Sequence, residues 1–97
     1  MTAKMNVISY RKIRNFILEH SDSDAALNAW YATARRARWQ NLAEVQQRYL
    51  HADLVGRYTV FNISHNKYRL IARIVYRSQT IFIINILTHE EYDDWKT

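Results

Sequence analysis

Arg69, Arg73 and Arg77 recur at every fourth residue within Tyr68–Arg77, a stretch rich in β-branched and aromatic residues. In an extended strand that spacing sends all three guanidiniums to one side, about 13 Å apart at roughly 3.3 Å per residue. Ile71 and Val75 share that side, while Tyr68, Leu70, Ala72, Ile74 and Tyr76 take the other. A guanidinium is a flat fork of donors suited to phosphate. Because an unpaired buried cation is prohibitively costly, the arginine side must face solvent, meet acids, or form an anion site.

A second group lies at Thr88-His89-Glu90-Glu91-Tyr92-Asp93. Thr-x-x-Glu is a capping box, so a short helix begins here with Thr88 at its cap and Glu91 reaching back to the Thr88 amide. His89 then falls in the first turn, where the positive pole of the helix disfavours imidazolium and suits the ring to accept a proton. Tyr92 follows three residues later on the same face. Imidazole and phenol can form an acid/base pair, or simply be parts of a capped helix. The turn Ser64-His65-Asn66-Lys67 adds an imidazole and an ammonium, for phosphate contact or for ordinary turn chemistry. His20, His51, His65 and His89 have no short ligand spacing, so no metal or other cofactor is expected.

Positioning these groups requires a particular set of elements. Met5–Ser9 reads as a short strand, after four residues that read as a loose end. The stretch 1–16 carries arginine and no acid, faintly like a presequence, but its pattern runs on into the next helix and is taken as part of the fold. Ile13, Phe16, Ile17 and His20 fall at helical spacing over Tyr10–His20. Ser21-Asp22-Ser23-Asp24 supplies oxygens to cap a second helix over residues 24–38, with Leu27, Trp30, Tyr31 and Ala34 on its core side. Its last turn, Arg35-Arg36-Ala37-Arg38, places cations where the dipole favours them, with RNA contact a second use. A short amphipathic turn (Leu42, Val45, Tyr49) leads through Ala52–Gly56 to three strands, Tyr58–Ile63, Tyr68–Arg77 and Thr80–Leu87. The short polar breaks between them imply an antiparallel meander. Ile81–Leu87 is apolar on both faces, so it lies inside the sheet or is covered on both sides. Trp39 and Trp95 are core aromatics or platforms for base stacking.

Composition narrows the function classes. Ninety-seven residues with 48% hydrophobic and 24% charged side chains make one globular domain over 1–97. With no cysteine, disulfides, thiolate metal sites and cysteine nucleophiles are excluded. A single glycine, Gly56, leaves no phosphate-cradling glycine loop. No apolar run approaches the roughly 20 residues of a membrane span, and the absence of cysteine and of a signal peptide points to the cytoplasm. Residues 1–77 hold 13 basic and 5 acidic side chains, net +8, whereas 78–97 hold one and four, net −3. Ten of the 14 cations are arginine. Such an excess suits a polyanion such as RNA, or serves solubility alone.

Four segments, Ala52-Asp53-Leu54-Val55-Gly56, Val60-Phe61-Asn62-Ile63, Asn66-Lys67-Tyr68-Arg69-Leu70-Ile71 and Thr88-His89-Glu90-Glu91-Tyr92-Asp93, carry a likeness. In their order and spacing over residues 42–95 the sequence resembles the HigB-like toxins of bacterial type II toxin–antitoxin modules, within the RelE superfamily of messenger-RNA interferases. The resemblance implies an α+β, RelE-like fold: an N-terminal strand and two to three helices on a small, mainly antiparallel sheet, with a short C-terminal helix and a basic RNA site on the other face. It implies mRNA cleavage, typically on the translating ribosome, and silencing by a HigA-like antitoxin with a helix-turn-helix DNA-binding domain. Carried over by residue, it makes Arg69 the catalytic-strand arginine, His89 and Tyr92 members of the terminal motif, and Lys67 the basic residue of the Asn-Lys-Tyr-Arg turn. Arg73 and Arg77 join as RNA contacts from strand alternation alone.

The expected reaction is metal-independent attack of the RNA 2′-hydroxyl on the adjacent phosphate. Arg69, helped by Arg73, stabilises the five-coordinate phosphorus, His89 transfers the proton, Tyr92 orients or stacks on a base, and Lys67 grips the flanking phosphate. Arginine cannot serve as the base, since its pKa exceeds about 12. The rival expectations are a non-catalytic RNA- or ribosome-binding module, and a protein-binding subunit of an antitoxin complex.

Overall fold

A computed structural model describes residues 4–97; three of the four residues expected to form a loose end lie outside that range. The chain runs β1 (Asn6–Ile8), α1 (Tyr10–Glu19), a 3-10 turn (Ser21–Ser23), α2 (Asp24–Arg36), α3 (Leu42–Arg48), β2 (Asp53–Val55), β3 (Tyr58–Ile63), β4 (Tyr68–Val75), β5 (Thr80–Thr88) and α4 (His89–Lys96). The strands form one sheet in the order β1-β5-β4-β3-β2. Every pairing is antiparallel except that of β1 with β5. The architecture is the expected α+β one, consistent with a RelE-like fold.

The strand periodicity is honoured with two revisions. Asp53–Val55, read as a connection, pairs with Tyr58–Val60 as an edge strand, and Gly56 supplies the positive φ of the tight turn. β4 ends at Val75 rather than Arg77. The reversal into β5 takes the four residues 76–79, closed by the Gln79 N–H donating to the Tyr76 carbonyl at 3.1 Å. Gln79 also donates through Nε2 to the Trp39 carbonyl at 2.7 Å, tying this turn to the helical layer. Arg77 is therefore not the third member of a strand row but an exposed turn residue.

β5 lies inside the sheet, as its apolar run requires. Opposite it on β4, Ile71 pairs with Asn85 but Ala72 pairs with Ile83, so Ile84 is an extra residue in β5. This bulge reverses the phase of alternation. Ile81 and Ile83 face the helices before it; after it Ile86 does so, and Leu87 turns to the opposite side. Without the extra residue, Asn85 would enter the core. On that opposite side Phe82 and Ile84 stay 37% exposed, so the strand is covered on one face only along its first half.

The helical layer buries Ile13 of α1, Leu27, Trp30 and Ala34 of α2 and Val45 of α3 against Phe61, Leu70, Ala72 and Ile81. Trp39 is buried, with its ring 6.4 Å from that of Phe61, so it belongs to the core and is no stacking platform. Capping differs between the helices. Asn41 accepts from the Glu44 N–H at 3.0 Å ahead of α3, whereas Ser23 ahead of α2 makes no side-chain cap and donates back to the His20 carbonyl at 2.6 Å. A second, smaller cluster of Val60, Ile71 and Tyr92, with Tyr58, Leu87 and Trp95 around it, sits on the opposite face of the sheet under α4. No helix among the described residues is long and apolar enough to cross a membrane.

Candidate active site at the β3–β4 turn

Ser64, His65 and Asn66 have φ of 54, 53 and 73°, three successive L-residues in the left-handed region. Each such residue costs on the order of 1–2 kcal/mol, so the surroundings must hold the turn in place. The Lys67 N–H closes it onto the Ser64 carbonyl at 3.1 Å, and the Lys67 carbonyl accepts from the His89 N–H at 3.2 Å. Tyr68 and Thr88 are register partners, so β5 delivers the start of α4 beside the turn. The capping box forms as the sequence predicts: Thr88 Oγ1 accepts from the Glu91 N–H at 3.2 Å, and Glu91 Oε1 accepts from the Thr88 N–H at 2.8 Å.

Turn and helix thus enclose a cleft of about 350 Å³, lined by His20, His65, Asn66, Lys67, Tyr68, Thr88, His89 and Glu90. His89 is half exposed, with Nε2 3.9 Å from the Asp93 carboxylate one helical turn on. The Lys67 ammonium is paired with Asp22, whose other oxygen accepts from the Tyr68 hydroxyl at 2.7 Å. The hydrogen bond from Lys67, then that from Tyr68, holds the Asp22 carboxyl below its ordinary range. The same contact with Asp22 pushes Lys67 up, and the Asp22 hydrogen bond, ahead of burial, pushes the Tyr68 phenol up. The ion pair lies in the open, so it positions the ammonium more than it stabilises the fold.

Arg69 sits just behind this cleft without lining it. Its Nη1 donates to the Asn66 carbonyl at 2.6 Å and to the Tyr68 carbonyl at 3.3 Å, and its guanidinium lies 5.3 Å from the centre of the Tyr92 ring. Tyr92 differs from expectation. Only 7% exposed, it stacks on Trp95 at 5.8 Å and carries the Lys96 ammonium at 5.7 Å, so its ring cannot stack on a substrate base. The reason is helical geometry: Tyr92, buried, and Trp95, half-buried, form the sheet-facing side of α4, whereas His89 is exposed beside the turn.

Lys67 and His89 therefore share one cleft, with Arg69 bonded to the turn that forms it. Arg73 is exposed on the same side of β4 as Arg69, next to Phe82, and does not reach the cleft; Arg77 lies at the other end of β4. Three lining or supporting residues went unassigned by sequence reasoning. From sequence, Asp22 reads as a cap, His20 as part of an apolar stripe, and Tyr68 as a strand residue on the side away from Arg69. The available signal was an imidazole at a helix end followed by two acids. Among the described residues no three His, Cys, Asp or Glu side chains gather as metal ligands.

Residues 23–95 match the family HigB toxin, RelE-like toxic component of a toxin–antitoxin system. Over 39 residues the chain is 38% identical to the mRNA interferase toxin HigB of Escherichia coli (strain K12), covering 40% of this chain and 38% of that protein. The same values hold for proteins named mRNA interferase HigB from Escherichia coli O157:H7 and Shigella flexneri. The aligned stretch thus spans well under half the length of these relatives.

Proposed function

We propose a function from one premise: the chain belongs to the HigB toxin family, the RelE-like toxic components of toxin–antitoxin systems. It is a toxin that cleaves mRNA as an endoribonuclease and so stops translation, a reading supported by relatives that are named mRNA interferases. The observation that carries this reading is the meeting of Lys67 and His89 in one cleft, with Arg69 fixed to the carbonyl of Asn66 in its wall.

The reaction is a transesterification within the RNA. His89 takes the proton of a 2′-hydroxyl, whose oxygen attacks the neighbouring phosphorus; the bond to the 5′-oxygen breaks, leaving a 2′,3′-cyclic phosphate and a 5′-hydroxyl. The charge gathered on phosphorus is met from beyond the Asn66 wall of the cleft by the field of Arg69, a permanent cation already oriented by two carbonyls. Lys67 grips the flanking phosphate when that anion replaces Asp22 as its partner. Tyr92 acts through Arg69, which it holds against α4. Arg73 and Arg77 serve as distant contacts to the RNA backbone. The ribosome presents the mRNA, a HigA-like helix-turn-helix antitoxin silences the toxin, and both encounters take place in the cytoplasm.

Mapping mRNA 5′ ends after induction of the wild type, Arg69→Ala and His89→Ala tests this. New ends and growth arrest in the wild type alone are expected. Equal toxicity of all three would remove the active-site assignment, and RNA binding without new ends would favour a non-catalytic module.

A further inference from the structure

We propose that His20 is the general acid of the cleavage, the group that protonates the departing 5′-oxygen across the cleft from His89. This assignment rests on the RNA-cleavage reading above and supplies the half of the proton transfer it leaves open. Transesterification moves two protons, one off the 2′-oxygen and one onto the 5′-oxygen, and the cleft must furnish an acceptor and a donor.

Elimination among the cleft's groups leaves few donors. Arg69 never gives up its proton. Lys67 faces an anion throughout, Asp22 before the RNA binds and a phosphate after, and Tyr68 donates to the Asp22 carboxylate. Contact with Asp22 pushes both up, so both hold their protons. Tyr92 is buried behind Arg69. Glu90 is open to solvent on the first turn of α4, with no side-chain hydrogen bond among the described residues to fix it. His65 stands exposed at the tip of the turn, with no hydrogen bond or ring contact among the described residues to fix its ring. His20 is held. Its ring stacks on Phe16 at 4.3 Å and 24° and leans on Tyr68 at 5.3 Å, half buried at the edge of the cleft.

The ends of two helices sort the two imidazoles into roles. His20 is the C-terminal cap residue of α1, its N–H donating to the Phe16 carbonyl at 2.9 Å, at a pole that attracts a cation. His89 is the first residue of α4, at a pole that repels one. Opposite helix poles therefore face one cleft, one beside each imidazole, and general acid–base transfer needs two such groups at the reacting phosphate. In the step, O2′ bonds to phosphorus as its proton passes to His89. The P–O5′ bond breaks with its electron pair on O5′, which takes the proton of the His20 imidazolium. Solvent then returns a proton from His89 to His20.

The test uses the purified full chain with ribosomes programmed by a short mRNA, carrying at the cleaved position either the ordinary linkage or a 5′-bridging sulfur. A thiolate departs without a proton, so it needs no general acid. His20→Ala is expected to cut the ordinary RNA about 100-fold or more slowly and the sulfur-linked RNA at close to the wild-type rate. His89→Ala is expected to be slow on both. His20→Phe, which keeps a ring against Phe16, should repeat the His20→Ala contrast and so separates chemistry from folding. An equal defect on both RNAs for both His20 variants, or no defect on the ordinary RNA, would overturn the assignment. Wild-type protein leaving both RNAs intact would instead overturn the cleavage reading itself, and the assignment with it.

Discussion

The backbone N–H of His89 donates to the carbonyl of Lys67, so the first residue of α4 is bonded directly to the end of the β3–β4 turn. The imidazole and the ammonium are thereby referenced to each other through main chain, which side-chain motion cannot loosen. The bond survives only while α4 starts where it does, and that start is fixed by the capping box of Thr88 and Glu91.

Thr88→Ala is therefore expected to cost about 1 kcal/mol, the ordinary worth of an N-cap. In a domain of this size that lowers the melting temperature by roughly 4–8 °C. Cleavage should fall by more than the lost stability explains, because His89 drifts from Lys67, while Thr88→Ser should restore both. Thermal melts beside cleavage rates check this. Full activity in a destabilised Thr88→Ala protein would show that the cap does not position the site.

Tyr92 offers a sharper distinction. If its ring holds Arg69 from below, Tyr92→Phe keeps the cation–π contact and cleaves within a few-fold of wild type. Tyr92→Leu loses the contact, a matter of about 0.5–2 kcal/mol, along with its stacking on Trp95, and cleaves poorly. A phenol acting in the chemistry would instead make Phe as damaging as Leu. Single-turnover rates of the two variants decide between these outcomes.

The sequence made the secondary structure plain where one physical signal ruled. β-Branched and aromatic runs between short polar breaks mark β3 and β5, the Thr88–Glu91 pair marks the start of α4, and helical spacing marks the buried residues Ile13, Leu27, Trp30 and Val45. What stayed hidden depends on contacts across the chain. The length of β4 is set by a turn that needs Gln79 anchored to Trp39, 40 residues away. The phase reversal at Ile84 is marked only by Asn85 falling in phase with Ile81 and Ile83 in an otherwise apolar run. Lys67 and His89 were legible as candidates because each sits in a recognisable local motif, and the fold brings both to one cleft. Asp22 and His20 were not, because their meeting with Tyr68 spans more than 45 residues of sequence.

The left-handed turn makes a prediction about stability alone. Ser64 has φ of 54° and no side-chain hydrogen bond among the described residues. Glycine adopts that conformation without steric cost but gives up more freedom on folding. Ser64→Gly is accordingly expected to gain roughly 0.5–1 kcal/mol, and Ser64→Val, with a branched side chain, to lose about 1–2 kcal/mol. Denaturant titration of both gives the comparison. A destabilising glycine would mean that the serine contributes something other than its backbone angle.

Asp22 links the site to pH. Its carboxyl is held below the ordinary value of 3.8 by Lys67 first and Tyr68 second, so the unfolded chain binds the proton more readily than the folded one. Stability from this contact is complete above that ordinary value and is lost as the pH falls below it toward the lowered one. Lys67 mirrors this at the other extreme: raised above 10.5, it contributes below that value and loses its contribution as the pH climbs through the raised one. Asp22→Asn should flatten the acid limb of the stability curve while changing neutral stability little, since the pair is open to solvent. The same substitution frees Lys67 for a phosphate, so RNA binding should tighten and depend more steeply on salt. Acid unfolding curves and RNA titrations at two salt concentrations check the two halves separately. An unchanged acid limb would show that the contact adds nothing to folding, and unchanged RNA binding would show that Asp22 does not hold the place of a phosphate.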